Sequence, residues 1–231
     1  MIITTTKLMR AAGLAAVAGG LLYIAVQFRH PHLDAAFATT TEFAVRETIK
    51  ITMTVLSLVG ITGIYLRQVK QTGVLGLIGY VLLGLGYLVI MTVQVIGLFV
   101  LPSLAASQPG YVNDVFAVVI SGTPIGDIGR IDMLIQGGIT YIVGGVIFGV
   151  ALFRANILPR WAAALLSVGA LATPVTSLVA ETTQRLFVLP VAVALIGLGY
   201  SLWRDQRAHA VRPLPSPLNT ATPQRDPAGA R

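Results

Sequence analysis

Cysteine is absent from the 231 residues, which excludes disulfides, thiolate metal sites and cysteine nucleophiles. Charge is scarce as well: Asp, Glu, Lys and Arg make up 11% of the chain, about half the share of an ordinary soluble domain. Histidine occurs three times. No Gly-x-Ser-x-Gly elbow, Walker loop or HExxH run is present, and GLGYLV is no dinucleotide fingerprint because no strand or βαβ context surrounds it. The chain therefore reads as leaning away from catalysis, with an intramembrane enzyme only a third choice, and no cofactor is expected.

What is there is apolar. Hydrophobic residues account for 55% of the chain, with 24 glycines. Runs near the roughly 20 residues that cross a bilayer fall at about 11–28, 48–66, 73–101, 131–153, 161–179 and 186–203. This pattern predicts an all-α, polytopic transmembrane bundle of six spans over 1–205. The Pro- and Thr-rich stretch 206–231 is predicted to be a disordered cytoplasmic tail. Pro174, with Thr173, Thr176 and Ser177 beside it, predicts a kinked fifth span. Ala36-Phe37-Ala38 resembles a signal cleavage site, but the preceding run is too long for a signal core and ends too early, so an uncleaved first span is expected.

Lys and Arg set the orientation. With the N-terminus inside, the inner segments and tail carry Lys7, Arg10, Arg67, Lys70, Arg154, Arg160, Arg204, Arg207, Arg212, Arg225 and Arg231. The outer segments carry Arg29, Arg46, Lys50, Arg130 and Arg185, with seven of the nine acids. Both termini are therefore expected in the cytoplasm of a cell-membrane protein. The net charge of +7 is an orientation signal spread over loops, which argues against nucleic acid as a partner.

The stretches KITMTVLSLVGITGIYLRQ, GVLGLIGYVLLGLGY and FRANILPRWAAALLSVGA resemble a family of small bacterial multi-pass membrane proteins of unknown function. The resemblance covers most of 10–205, and the FRANILPRW turn is its most recognisable part. Similar members often carry a histidine near the start of the second span, where this chain reads EFAVRETIK. The resemblance implies the six-span architecture and transfers no functional residue.

Polar residues near the outer side supply the candidates. In FRHPHLD, His30 and His32 are about 200° apart on a helix, but Pro31 favours an extended chain in which they share a side. His30, His32 and Asp34 are thus weak metal candidates that lack a second ligand pair; a polar exit loop is the preferred reading, with no metal. Thr39-Thr40-Thr41-Glu42 has capping-box spacing, with Thr39 as the expected N-cap. Beyond it, Glu42, Arg46, Lys50, Thr54 and Ser57 fall within about 120° of helical arc with Glu47 beside them. Glu42 is placed to pair with Arg46, and Glu47 with Lys50. Such a stripe must face other helices or a water-filled cleft.

Asp127, Arg130, Asp132, Glu181 and Arg185 could converge on the same mouth. Gln94 is the deepest of the remaining polar groups, ahead of Thr92, Gln136 and Thr140. Glu42, Arg46, Glu47, Lys50 and Gln94 are therefore the candidate ligand-binding set, against the simpler reading of an interfacial ion-pair cap. Gly79 with Gly86, and Gly138 with Gly145 and Gly149, make small-residue faces for helix packing or for a membrane partner or second copy, besides the lipid bilayer itself. Two functions stay open: an accessory, partner-binding or envelope-related membrane protein, favoured by elimination, and a small-molecule carrier or sensor using a polar cleft at the outer mouth.

Overall fold

The computed structural model describes residues 3–28, 31–121, 126–174 and 181–211, with side chains throughout except at 181–186 and 208–211. Every regular element among the described residues is helical, and no strand occurs among them. Four helices are long and apolar enough to cross a bilayer: Thr5–Val26, Thr41–Phe99, Arg130–Ala155 and Phe187–Arg207. A fifth apolar helix, Arg160–Ala172, is shorter.

Helix α1 (Thr5–Val26) starts where Thr4 accepts a hydrogen bond from the Lys7 amide. A single turn, α2 (Ala35–Ala38), follows; the Asp34 carboxylate accepts the Phe37 amide at 2.7 Å and caps it. Thr39 closes this turn, so the N-cap of the next helix is Thr40, one residue later than the spacing predicts, and its hydroxyl accepts the Phe43 amide at 3.2 Å.

Helix α3 (Thr41–Phe99) contains 59 residues, about 88 Å if straight and far more than a bilayer's hydrocarbon. It is not straight. Gly73, at φ 55° and ψ −148°, breaks it into two arms, 41–72 and 74–99. The arms fold back on each other. Tyr65 stacks on Tyr80 with ring centroids 4.6 Å apart, the Thr62 and Tyr80 hydroxyls lie 3.0 Å apart, and Thr54 reaches Gln94. The second and third apolar runs of the sequence are thus one hairpin turned at a glycine, in a conformation that residues with a Cβ rarely adopt.

Three short helices follow, α4 (Leu101–Ala105), α5 (Pro109–Ser121) and α6 (Arg130–Gln136). Then come α7 (Ile139–Ala155), α8 (Arg160–Ala172) and α9 (Glu181–Val211). The FRANILPRW turn reverses the chain between α7 and α8 through Asn156, which caps α7 in the left-handed conformation. Helix α8 ends before Pro174, with the Thr173 hydroxyl on the Gly169 carbonyl at 3.2 Å; the expected continuation of that span over 175–180 lies outside the described residues. Helix α9 runs through Val211, past the expected start of the tail at 206, with Gln206 buried. The rest of that tail, 212–231, lies outside the described residues.

Packing proceeds helix by helix around a ring. Arm 41–72 lies on α1, arm 74–99 on α7, α7 on α8, α8 on α9, and α9 closes on α1. Glycines carry the close approaches. A Cβ at Gly79 would strike the Phe148 backbone, at Gly86 that of Tyr141, and at Gly149 the Ser167 side chain. Gly79, Gly86, Gly145 and Gly149, picked out in the sequence, therefore close on helices of the same chain, whereas a Cβ at Gly138 would meet only the Ile135 carbonyl. Ile61, Ile64, Leu83, Phe148 and Leu198 fill the ring as a solid apolar core. A second core, built on Phe43, Leu101, Val112, Val115 and Phe116, joins α2, α4 and α5 into a cap at the other end.

The two ends differ in charge. Lys7, Arg10, Arg67, Lys70, Arg154, Arg160, Arg204 and Arg207 gather where the hairpin of α3, the α7–α8 turn and the end of α9 meet. Asp205, paired to Arg67 at 2.7 Å, is the one acid there among the described residues. The acids from Asp34 to Asp132 belong to the capped end.

Candidate functional site

Between the cap and the solid core the helices leave a cavity of about 360 Å³, bounded by the end of α1, both arms of α3, α5, α6 and the start of α7. Its wall is mostly aliphatic, with Val26, Leu33, Met53, Ile90, Val93 and Ile131 among the lining residues, and Phe43 and Phe116 beneath the cap. Those two rings meet edge to face at 5.8 Å, and Phe37 abuts Phe43 at 5.7 Å, so the cap is held by aromatic packing.

Polar groups enter this wall from one face of arm 41–72. Glu47, Lys50, Thr54 and Ser57 recur at intervals of three and four, the period that aligns side chains along a helix. The Lys50 ammonium donates to Glu47 Oε1 at 2.6 Å. Glu47 is only 5% exposed, and both residues border the cavity. One turn deeper, Thr54 Oγ1 lies 2.9 Å from the Lys50 carbonyl and 3.1 Å from Gln94 Oε1 on the opposite arm.

Deeper still, Tyr23 of α1, Tyr87 of α3 and Tyr141 of α7 come together on the cavity wall. Tyr141 is within side-chain hydrogen-bonding reach of both others, and Ser57 is within reach of Tyr87. The Tyr87 and Tyr141 rings meet at 5.3 Å, nearly perpendicular. All three tyrosines border the cavity. The stripe ends there, because Ile61 and Ile64, next along the same face, belong to the solid core.

The candidate set divides. Glu47, Lys50 and Gln94 share the cavity. Glu42 and Arg46 do not: they pair with each other at 3.1 Å at the edge of the stripe, where Arg46 also donates to the Phe28 carbonyl. There they border a separate surface groove of about 380 Å³ with Leu22, Ala25 and Ile49. Helical geometry explains the division, since the arc spanned by the stripe is wide enough for its edges to face different neighbours.

Asp127 and Arg130 are exposed and outside the cavity, while Asp132 accepts from Gln136 at 3.4 Å. Thr92 donates to the Leu88 carbonyl of its own helix, and Thr140 to the Gly137 carbonyl just before α7. The side chains of Glu181 and Arg185, and all of His30, lie outside the described residues. His32 is exposed and Asp34 is engaged in its cap. No cluster of three metal-ligating side chains occurs among the described residues.

Sequence reasoning passed over the tyrosines and the cap. Tyr23, Tyr87 and Tyr141 sit singly in apolar runs, and their one available signal is that a phenol hydroxyl within a membrane must find a partner. The cap arises from 101–136, where α5 buries Val112, Val115, Phe116 and Val118. Its Asn113 accepts the Ala35 amide at 2.8 Å, tying α5 to α2. No family model, curated protein or solved structure matches the chain.

Proposed function

We propose that this chain is a six-span protein of the cell membrane, both termini cytoplasmic, that binds a small membrane-soluble molecule in the capped cavity as a carrier or sensor. The single observation that carries the reading is the Glu47–Lys50 pair bordering the cavity. A buried ion pair is a poor stabilising device, because desolvation offsets most of its attraction, and ionisable groups at membrane depth mark functional sites by default. The volume of about 360 Å³ falls in the range of small-molecule sites, as does a largely apolar wall with a few convergent polar groups.

Counting the arms of α3 separately and including the shorter α8 supports six crossings, and the basic end would then face the cytoplasm. The accessory-subunit reading rests on missing catalytic motifs alone and has no comparable observation behind it.

The test is occupancy. Protein extracted from its own membrane into nanodiscs should carry a small molecule, detected by mass spectrometry, that Val93→Phe displaces by filling the cavity. Identical extracts from wild type and variant, in samples that melt alike, would remove the support for a binding cavity.

A further inference from the structure

We infer that the cavity takes an uncharged molecule with an apolar body and an oxygen-bearing head, a hydroxyl or carbonyl, and that Tyr23, Tyr87 and Tyr141 hold that head. The inference rests on the binding cavity just proposed and adds the chemistry of its occupant.

Neutrality comes from the lining. Lys50 and Glu47 are its one cation and one anion among the described residues, and they satisfy each other at 2.6 Å. The pair is neutral overall, so a charged ligand would bring one net charge into a largely apolar cavity, and an uncompensated charge there is strongly disfavoured. A neutral body meets no such obstacle, since the aliphatic wall gains from covering it.

The head is placed by the tyrosines. A hydroxyl carries one donor and two acceptor lone pairs. The cluster of Tyr23, Tyr87, Tyr141 and Ser57 therefore keeps capacity for one more partner after its mutual contacts are made. Thr54 and Gln94 are already bonded to each other, and Glu47 to Lys50. Gln27 and Gln94 also line the cavity, but each is a single amide, whereas the tyrosines bring three hydroxyls to it from three helices. They stand on three different helices, so a head bound between them is oriented by α1, α3 and α7 together. Ser57 lies about 15 Å along the arm from Glu47, which places the head deep and leaves the body beneath the cap.

Four probes that share one body test this: 1-naphthol, naphthalene, 1-naphthoate and naphthalen-1-ylmethylammonium. Each is titrated against the full chain in nanodiscs at pH 7, with empty nanodiscs subtracted. 1-Naphthol should bind saturably, about tenfold or more tighter than either ion. It should also bind about fivefold tighter than naphthalene, as one net hydrogen bond allows. Tyr23→Phe, Tyr87→Phe and Tyr141→Phe together should abolish the preference over naphthalene while naphthalene itself binds as before, which shows the variant folded.

Equal or tighter binding of either ion, or a naphthol preference that survives all three substitutions, overturns the head-group assignment and leaves the binding cavity standing. Saturable binding of none of the four overturns both.

Discussion

At the scale of single residues, the two ion pairs on arm 41–72 have the same chemistry and different surroundings. Glu42 retains 51% of its side-chain exposure and Glu47 only 7%. Solvent screens the first pair, so its coupling in a double-mutant cycle should stay below about 0.5 kcal/mol. The second has little solvent to replace a lost partner. Glu47→Gln alone should cost toward the lower end of the roughly 3–5 kcal/mol seen for broken buried pairs, because Lys50 keeps some exposure. Glu47→Gln with Lys50→Gln should be milder, giving a coupling above about 1 kcal/mol. Unfolding in mixed micelles measures both cycles, and equal couplings would mean that the cavity wall is as wet as the surface.

At the scale of elements, the hairpin of α3 depends on one backbone conformation. Nothing lies within 4 Å of a Cβ built on Gly73, yet its φ of 55° is unfavourable for any side chain. Gly73→Ala should therefore destabilise by about 1–3 kcal/mol through backbone strain alone. Gly84 is the control. It has equal room and a helical backbone, so Gly84→Ala should be neutral or stabilise by up to about 1 kcal/mol. Matching melting shifts for the two would show that the turn at Gly73 does not require its positive φ. The same element explains how polar groups come to share a cavity: folding at residue 73 lays Gln94 beside Thr54 and Tyr87 near Ser57.

At the scale of the whole molecule, the ring of helices separates a basic end from a capped acidic one. With no native cysteine, single substitutions give an unambiguous map of sides. Gln71→Cys and Arg207→Cys should be shielded from an impermeant maleimide in intact cells, whereas Gln108→Cys and Asp127→Cys should react. Labelling of Arg207→Cys from outside would contradict an even number of crossings. The cap belongs to this scale too, because α2, α4 and α5 come from both sides of the hairpin and meet only when it is folded.

What the sequence determined by itself is the apolar helical character, the position of the reversals and the sorting of charge. Each is a local property: run length decides what lipid accepts, and Lys and Arg cluster next to reversals, although the turn at Gly73 falls inside the expected third span of 73–101. The pairings of Glu42 with Arg46 and Glu47 with Lys50 were legible for the same reason, since they lie within one helical turn. The tertiary structure decided which polar groups meet. It moved the cap of α3 from Thr39 to Thr40 by using Thr39 to end α2. It turned Glu42 and Arg46 away from the cavity that holds Glu47 and Lys50. It also brought Tyr23, Tyr87 and Tyr141 together from three helices. No periodicity encodes that meeting, because it depends on how glycine-lined helix faces close on one another across the ring, and that is settled only when every helix packs at once.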